Sequence, residues 1–101
     1  MKRSDLLNEM HPGRTIVEDV LKPWGMSVNA LAKELHVPTT RLNEIVRGRR
    51  GVTVDTALRL ARYLGTTAQF WVNLQSIYDL RMAEHIRGRT ILRQVRPRKA
   101  A

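Results

Sequence analysis

The chain has 101 residues, enough for one domain, and its 43% apolar content suits a compact core rather than a large one. It contains no cysteine, which excludes disulfide scaffolds, thiolate metal sites and cysteine nucleophiles. A net charge of +9, from 18 basic and 9 acidic side chains, favours an anionic partner, most simply nucleic acid.

The charge is uneven. Residues 1–84 hold 12 basic and 9 acidic side chains, and residues 85–101 hold 6 basic and none acidic. No apolar run approaches the roughly 18 residues of a membrane span, and the N-terminus lacks the apolar centre of a signal peptide. The expectation is a soluble, cytoplasmic protein with no membrane partner.

Residues 1–10 mix charges with Leu6, Leu7 and Met10 and read as an N-terminal arm, either a loose helical turn or disordered. The first firm helix starts at His11-Pro12-Gly13, because proline is favoured at a first helical position. Ile16, Val17, Val20, Leu21 and Trp24 then form an inner stripe that predicts a buried tryptophan, and Pro23 and Gly25 end the helix.

Ser27 is a good cap for the second helix, whose inner face is Leu31, Ala32 and Leu35. Val37-Pro38 breaks it, because the residue before a proline is pushed out of helical geometry. Thr39 or Thr40 can cap a third helix with Leu42, Ile45 and Val46 inside, and Gly48 stops it. Ala32 is small enough for two backbones to cross, Val37 plugs the turn, and Leu42 and Ile45 anchor the third helix. These offsets are those of a helix-turn-helix, and they also fit a helical hairpin with no DNA role. His36 stands where the turn commonly carries glycine; histidine tolerates left-handed geometry better than most residues.

Arg49-Arg50-Gly51 forms a basic loop. Thr53 caps a fourth helix with Ala57, Leu58, Ala61 and Leu64 inside and Arg59 and Arg62 elsewhere. Gly65 stops it. Thr66 and Gln69 have capping-box spacing for a fifth helix, whose apolar stripe is Phe70, Trp71, Leu74, Ile77 and Tyr78. Most of that stripe closes the core. It is heavy for so small a domain, so part of it is a candidate dimer surface. Residues 85–101 are a basic C-terminal tail, either a helical extension or a loose end. No strand alternation or repeat occurs, so the fold class is all-α with five helices.

In a helix-turn-helix the first turns of the second helix enter the major groove. That places Thr39, Thr40, Arg41, Asn43, Glu44 and Arg47 at DNA. Thr40, Asn43 and Glu44 are the base-reading candidates, since a threonine methyl suits thymine, asparagine suits adenine and glutamate suits cytosine. Arg41 either reads a base or clamps a phosphate. Ser27 and Asn29 suit phosphate at a helix N-terminus, and Arg47, Arg49 and Arg50 suit the backbone or a narrow minor groove. One such helix reads a short half-site, so a symmetric dimer on a palindromic operator is expected. His11, His36 and His85 lack metal-ligand spacing, no glycine loop cradles a phosphate, and nothing near Glu44 and Asp55 suggests a substrate. No enzyme, cofactor or metal is expected.

His11-Pro12-Gly13, the run Leu21–Thr53 (LKPWGMSVNALAKELHVPTTRLNEIVRGRRGVT) and the run Asp55–Leu80 (DTALRLARYLGTTAQFWVNLQSIYDL) closely resemble the HigA-type, VapI-like antitoxins of the lambda-repressor-like helix-turn-helix group. The resemblance spans roughly residues 11–84, taken as the DNA-binding domain, and the Asp55–Leu80 run is its more specific part. It implies a compact five-helix lambda-repressor-like domain that dimerises, binds operator double-stranded DNA, represses its own operon and neutralises a HigB-type toxin, a ribonuclease acting on messenger RNA at the ribosome. It implies base contacts on the helix from Thr39 to Arg47 and a dimer contact from Phe70 onward. Relatives also occur as regulators with no evident toxin, so a free-standing repressor is the second reading. A general nucleic-acid binder acting through bulk charge is the third.

Overall fold

The computed structural model describes residues 10–99, and the expected N-terminal arm lies, apart from Met10, outside them. Five helices follow one another, with no strand among the described residues. Helix α1 is built of three consecutive segments, Pro12–Ile16, Val17–Leu21 and Lys22–Trp24. Helices α2 (Val28–Leu35), α3 (Thr39–Val46), α4 (Val54–Leu64) and α5 (Ala68–Gln94) follow among the described residues.

The imidazole of His11 starts α1: its Nδ1 accepts from the Gly13 N–H at 2.9 Å, and Pro12 follows at the first helical position. The middle segment widens to a π-type turn, with the Lys22 N–H donating to the Val17 carbonyl. Pro23 comes next. It has no N–H, and its ring crowds the carbonyl four residues back, so a wider turn just ahead of it relieves the clash. The helix therefore runs past Pro23 and stops at Gly25, whose φ is 61°. There Met26 donates to Leu21 at 2.9 Å and Gly25 to Lys22 at 3.3 Å, the two bonds of a Schellman end.

The core is one cluster. Ile16, Leu31, Leu42, Ile45, Ala57 and Leu60 are fully buried, and Ala32, Leu35, Val37, Val52 and Trp71 nearly so. Each large aliphatic chain removed from water contributes about 1.5–3 kcal/mol before entropy is counted. Helix α2 packs on α3 and α4, α1 on α3 and α5, and α4 on α5. Trp71 closes the core from α5 and satisfies its indole N–H on Thr66 Oγ1 at 2.9 Å.

Four expectations are corrected. Trp24 is 53% exposed, because it is the last helical residue and lies at the rim, edge-on to Tyr63 with ring centroids 6.3 Å apart. Leu58 is 57% exposed and Leu60 is buried instead. The α4 stripe begins at Thr56, a buried threonine whose Oγ1 meets Thr53 Oγ1, so a stripe counted on apolar residues alone falls out of phase. Pro38, not a threonine, occupies the N-cap of α3. Thr67 rather than Thr66 caps α5, accepting from the Phe70 N–H at 3.1 Å, because Thr66 is committed to Trp71.

Residues 85–94, set apart on composition as the start of a basic tail, continue α5 without a break. At 1.5 Å per residue α5 is about 40 Å long, and the molecule is correspondingly elongated at 55 × 33 × 21 Å. Ile86, Ile91, Leu92 and Val95 stand exposed there.

Candidate nucleic-acid interface

The turn between α2 and α3 fixes the site. Ser27 Oγ accepts from the Ala30 N–H at 3.1 Å and starts α2. His36 ends it in left-handed geometry, φ 56°, as its place in the turn requires. Val37 donates to the Ala32 carbonyl at 3.1 Å and His36 to that of Lys33 at 3.2 Å, again a Schellman end. This turn throws Val37 into the core and launches α3 from Pro38. With Leu42 and Ile45 inward, Thr39, Thr40 and Arg47 are exposed and Arg41, Asn43 and Glu44 half-buried on the other faces.

Most of the expected DNA-facing residues come together and make specific contacts. Thr39 Oγ1 meets Asn29 Oδ1 at 2.7 Å, joining the starts of α2 and α3. Arg50 Nε lies 3.1 Å from Glu44 Oε2, so the basic loop folds back onto α3. Arg47 and Arg49 are exposed at the Gly48 turn, where Arg49 donates to the Glu44 carbonyl at 2.9 Å through its backbone.

Three residues outside the expected DNA-facing set hold this surface in place. Arg59, expected to point elsewhere, donates from one terminal nitrogen to the Leu35 carbonyl at 3.1 Å and that of His36 at 3.4 Å. These are the last carbonyls of α2, the negative end of its dipole. Arg59 Nε also binds Asp55 Oδ2 at 2.9 Å, and Arg41 reaches the same oxygen at 3.4 Å. The hydrogen bond from Arg59, helped by the charge of Arg41, holds the Asp55 carboxyl below its ordinary range. The third is Gln75 of α5. Its Oε1 accepts from the Val52 N–H at 2.7 Å and its Nε2 donates to Asp79 Oδ1 at 2.9 Å. Gly51 passes so near this amide that a Cβ there would stand 3.0 Å from Gln75 Cδ. The i, i+4 spacing of Asp55 and Arg59 was visible in the sequence; their reach to another helix, and that of Gln75, was not.

The residues named for a dimer surface divide. Trp71 is 2% exposed and belongs to the core, and Leu74 packs against that core. Tyr78 stacks edge-on to His11 with centroids 4.7 Å apart. Phe70, at 43%, and Ile77, at 48%, are exposed.

The profile for the helix-turn-helix family matches residues 18–71. Virulence-associated protein I of Dichelobacter nodosus is 60% identical over 80 residues, covering 76% of this chain and 74% of that protein. The addiction module antidote protein of the HigA family from Coxiella burnetii superposes with a TM-score of 0.82 at 46% identity, covering 87% of this chain and 96% of the other. The chain belongs to the HigA family of helix-turn-helix proteins. A further HigA-family structure, the Pseudomonas aeruginosa antitoxin HigA with the higBA promoter, superposes with a TM-score of 0.84 at 42% identity, covering 86% of this chain and 95% of that one. This HigA-family chain thus shares the fold of a relative solved with its promoter.

Proposed function

We propose that this HigA-family chain is the antitoxin of a type II toxin-antitoxin pair, acting in the cytoplasm. It binds operator DNA as a dimer, represses its own operon and neutralises a HigB-type ribonuclease. The observation that carries the reading is the outward face of α3. A helix start bearing Thr39, Thr40 and the half-buried Asn43 is flanked by the exposed Arg47, Arg49 and Arg50, and none of the six belongs to the core cluster. Thr40 and Asn43 make base contacts, Glu44 accepts from cytosine, and Ser27, Asn29, Arg47, Arg49 and Arg50 bind phosphates. The exposed rings and chains of Phe70 and Ile77 supply the apolar part of a dimer contact along α5.

The reading is tested by light-scattering mass and operator binding together. The purified chain is expected to run as a dimer, and to gain one toxin-sized partner when co-expressed with the product of the adjacent short reading frame. Thr40→Ala and Asn43→Ala are expected to lose about 1–3 kcal/mol each on the operator and little on random DNA. A dimer that binds its operator but gains no partner would leave a free-standing repressor. Equal losses on operator and random DNA would move Thr40 and Asn43 to the phosphate contacts.

A further inference from the structure

We propose that Arg41 reads a guanine in the operator half-site and that Asp55 is the positioning residue that presents it. The inference rests on operator binding as proposed above and names a base and the group that orients its reader.

Arg41 is the third residue of α3, at the end of the helix that enters the groove. Its NH1 is engaged by Asp55 Oδ2 at 3.4 Å, and its side chain is 33% exposed. The opposite edge of the guanidinium, Nε with NH2, has no partner among the described residues. That edge carries two parallel N–H donors, the pattern that matches O6 and N7 of guanine. A phosphate clamp needs no such orientation, because many rotamers reach a phosphate. Arg41 stands in the first turn of α3, within reach of base edges, whereas Arg50, held by Glu44 at 3.1 Å, lies beyond the end of that helix. A carboxylate on one edge at this place suits directional reading.

Asp55 is itself fixed. Arg59 holds it at 2.9 Å and is in turn anchored on the carbonyls of Leu35 and His36. Guanidinium, carboxylate and guanidinium thus run in sequence from the turn of the motif to the start of the reading helix. The rotamer of Arg41 is selected before DNA arrives, which lowers the entropy lost on contact.

The test varies each half-site base pair in turn at fixed ionic strength. Dissociation constants are measured for the full chain, Arg41→Ala, Asp55→Asn and the double variant. The full chain is expected to disfavour replacement of one G·C pair by about tenfold or more. Arg41→Ala is expected to lose that discrimination at that pair and keep it at the others. Asp55→Asn is expected to lose several-fold at the same pair and to bind random DNA more tightly, with a salt slope steeper by up to about 1. The double variant is expected to match Arg41→Ala at that pair. Arg59→Gln, which removes the anchor without touching α3, is expected to fall between the full chain and Asp55→Asn.

Weakening by Arg41→Ala on every sequence alike would make Arg41 a phosphate clamp and overturn the inference. Discrimination unchanged in Asp55→Asn would overturn the role of Asp55, and a pair other than G·C would overturn the guanine. A full chain with no preference among DNA sequences would remove the operator reading, and this inference with it.

Discussion

Gly13 rests against the backbone of Ile45. A Cβ built on Gly13 would overlap the Ile45 carbonyl oxygen and stand 2.8 Å from its carbon and 2.9 Å from Val46 Cα. The start of α1 is therefore packed backbone to backbone on the last turn of α3. Backbone atoms cannot rotate aside, so Gly13→Ala is expected to cost about 1–3 kcal/mol through forced displacement. In a domain this small, each kcal/mol lowers Tm by roughly 4–8 °C. An unshifted Tm would show that α1 and α3 separate freely.

The cap of α1 titrates. His11 Nδ1 accepts a hydrogen bond from Gly13, so the imidazole must be neutral there. Burial holds its pKa below the ordinary 6.5, against an opposing pull from Asp79. The unfolded chain then takes the proton more readily than the folded one. Stability is full above about pH 6.5 and is lost as pH falls from there through the lowered folded value. The urea midpoint is expected to drop between about pH 7.5 and pH 5.5, and His11→Asn, which keeps an acceptor without the titration, is expected to flatten that drop. A midpoint equally pH-dependent in His11→Asn would place the effect elsewhere.

Gln75 joins α5 to the basic loop. Gln75→Met removes the acceptor for the Val52 N–H and is expected to cost about 1–3 kcal/mol, with weaker binding to random DNA as Arg49 and Arg50 lose their fixed placement. Gln75→Glu combined with Asp79→Asn keeps that acceptor and reverses the direction of the second hydrogen bond. Recovery of both stability and DNA affinity is expected in the pair. Urea unfolding and a fluorescence titration with random DNA check it; a double variant no better than Gln75→Met would show that the amide acts by shape alone.

His36 is the only residue other than glycine with a positive φ among the described residues. Left-handed geometry costs an ordinary L-residue about 1–2 kcal/mol, and glycine returns part of that gain through its freer unfolded chain. His36→Gly is expected to stabilise by up to about 1 kcal/mol, seen as a rise in Tm with unchanged operator preference. A fall in Tm would mean that the imidazole makes a contact worth more than the strain.

The helix-turn-helix was legible because its signals are local. Ser27 caps where it should, Ala32, Val37, Leu42 and Ile45 fall inward at their offsets, and His36 takes the left-handed turn. What the chain order hid has two causes. Burial can recruit a polar residue, as at Thr56, and then a stripe counted on apolar residues loses its phase and buries Leu58 in place of Leu60. The other cause is distance. Asp55, Arg59 and Gln75 act on partners in other helices, and no spacing along their own helix announces that. Trp24 and Trp71 show the limit of composition alone: both sit on apolar stripes, but Trp24 ends its helix at the rim, whereas Trp71 is buried and has a hydroxyl to take its indole N–H.

The grip of Arg59 on the end of α2 bears on modularity. The recognition unit, residues 27–48, ends its first helix on a side chain supplied 24 residues later, and its following loop is held by another 23 residues away. A graft of that unit onto a foreign scaffold would carry the reading face and leave behind the groups that hold it. During folding those long-range contacts come at the loop-closure cost of bringing α4 and α5 into place. The unit therefore gains its final geometry with the domain as a whole, and any swap of DNA preference between relatives has to transfer Asp55, Arg59 and Gln75 together with α3.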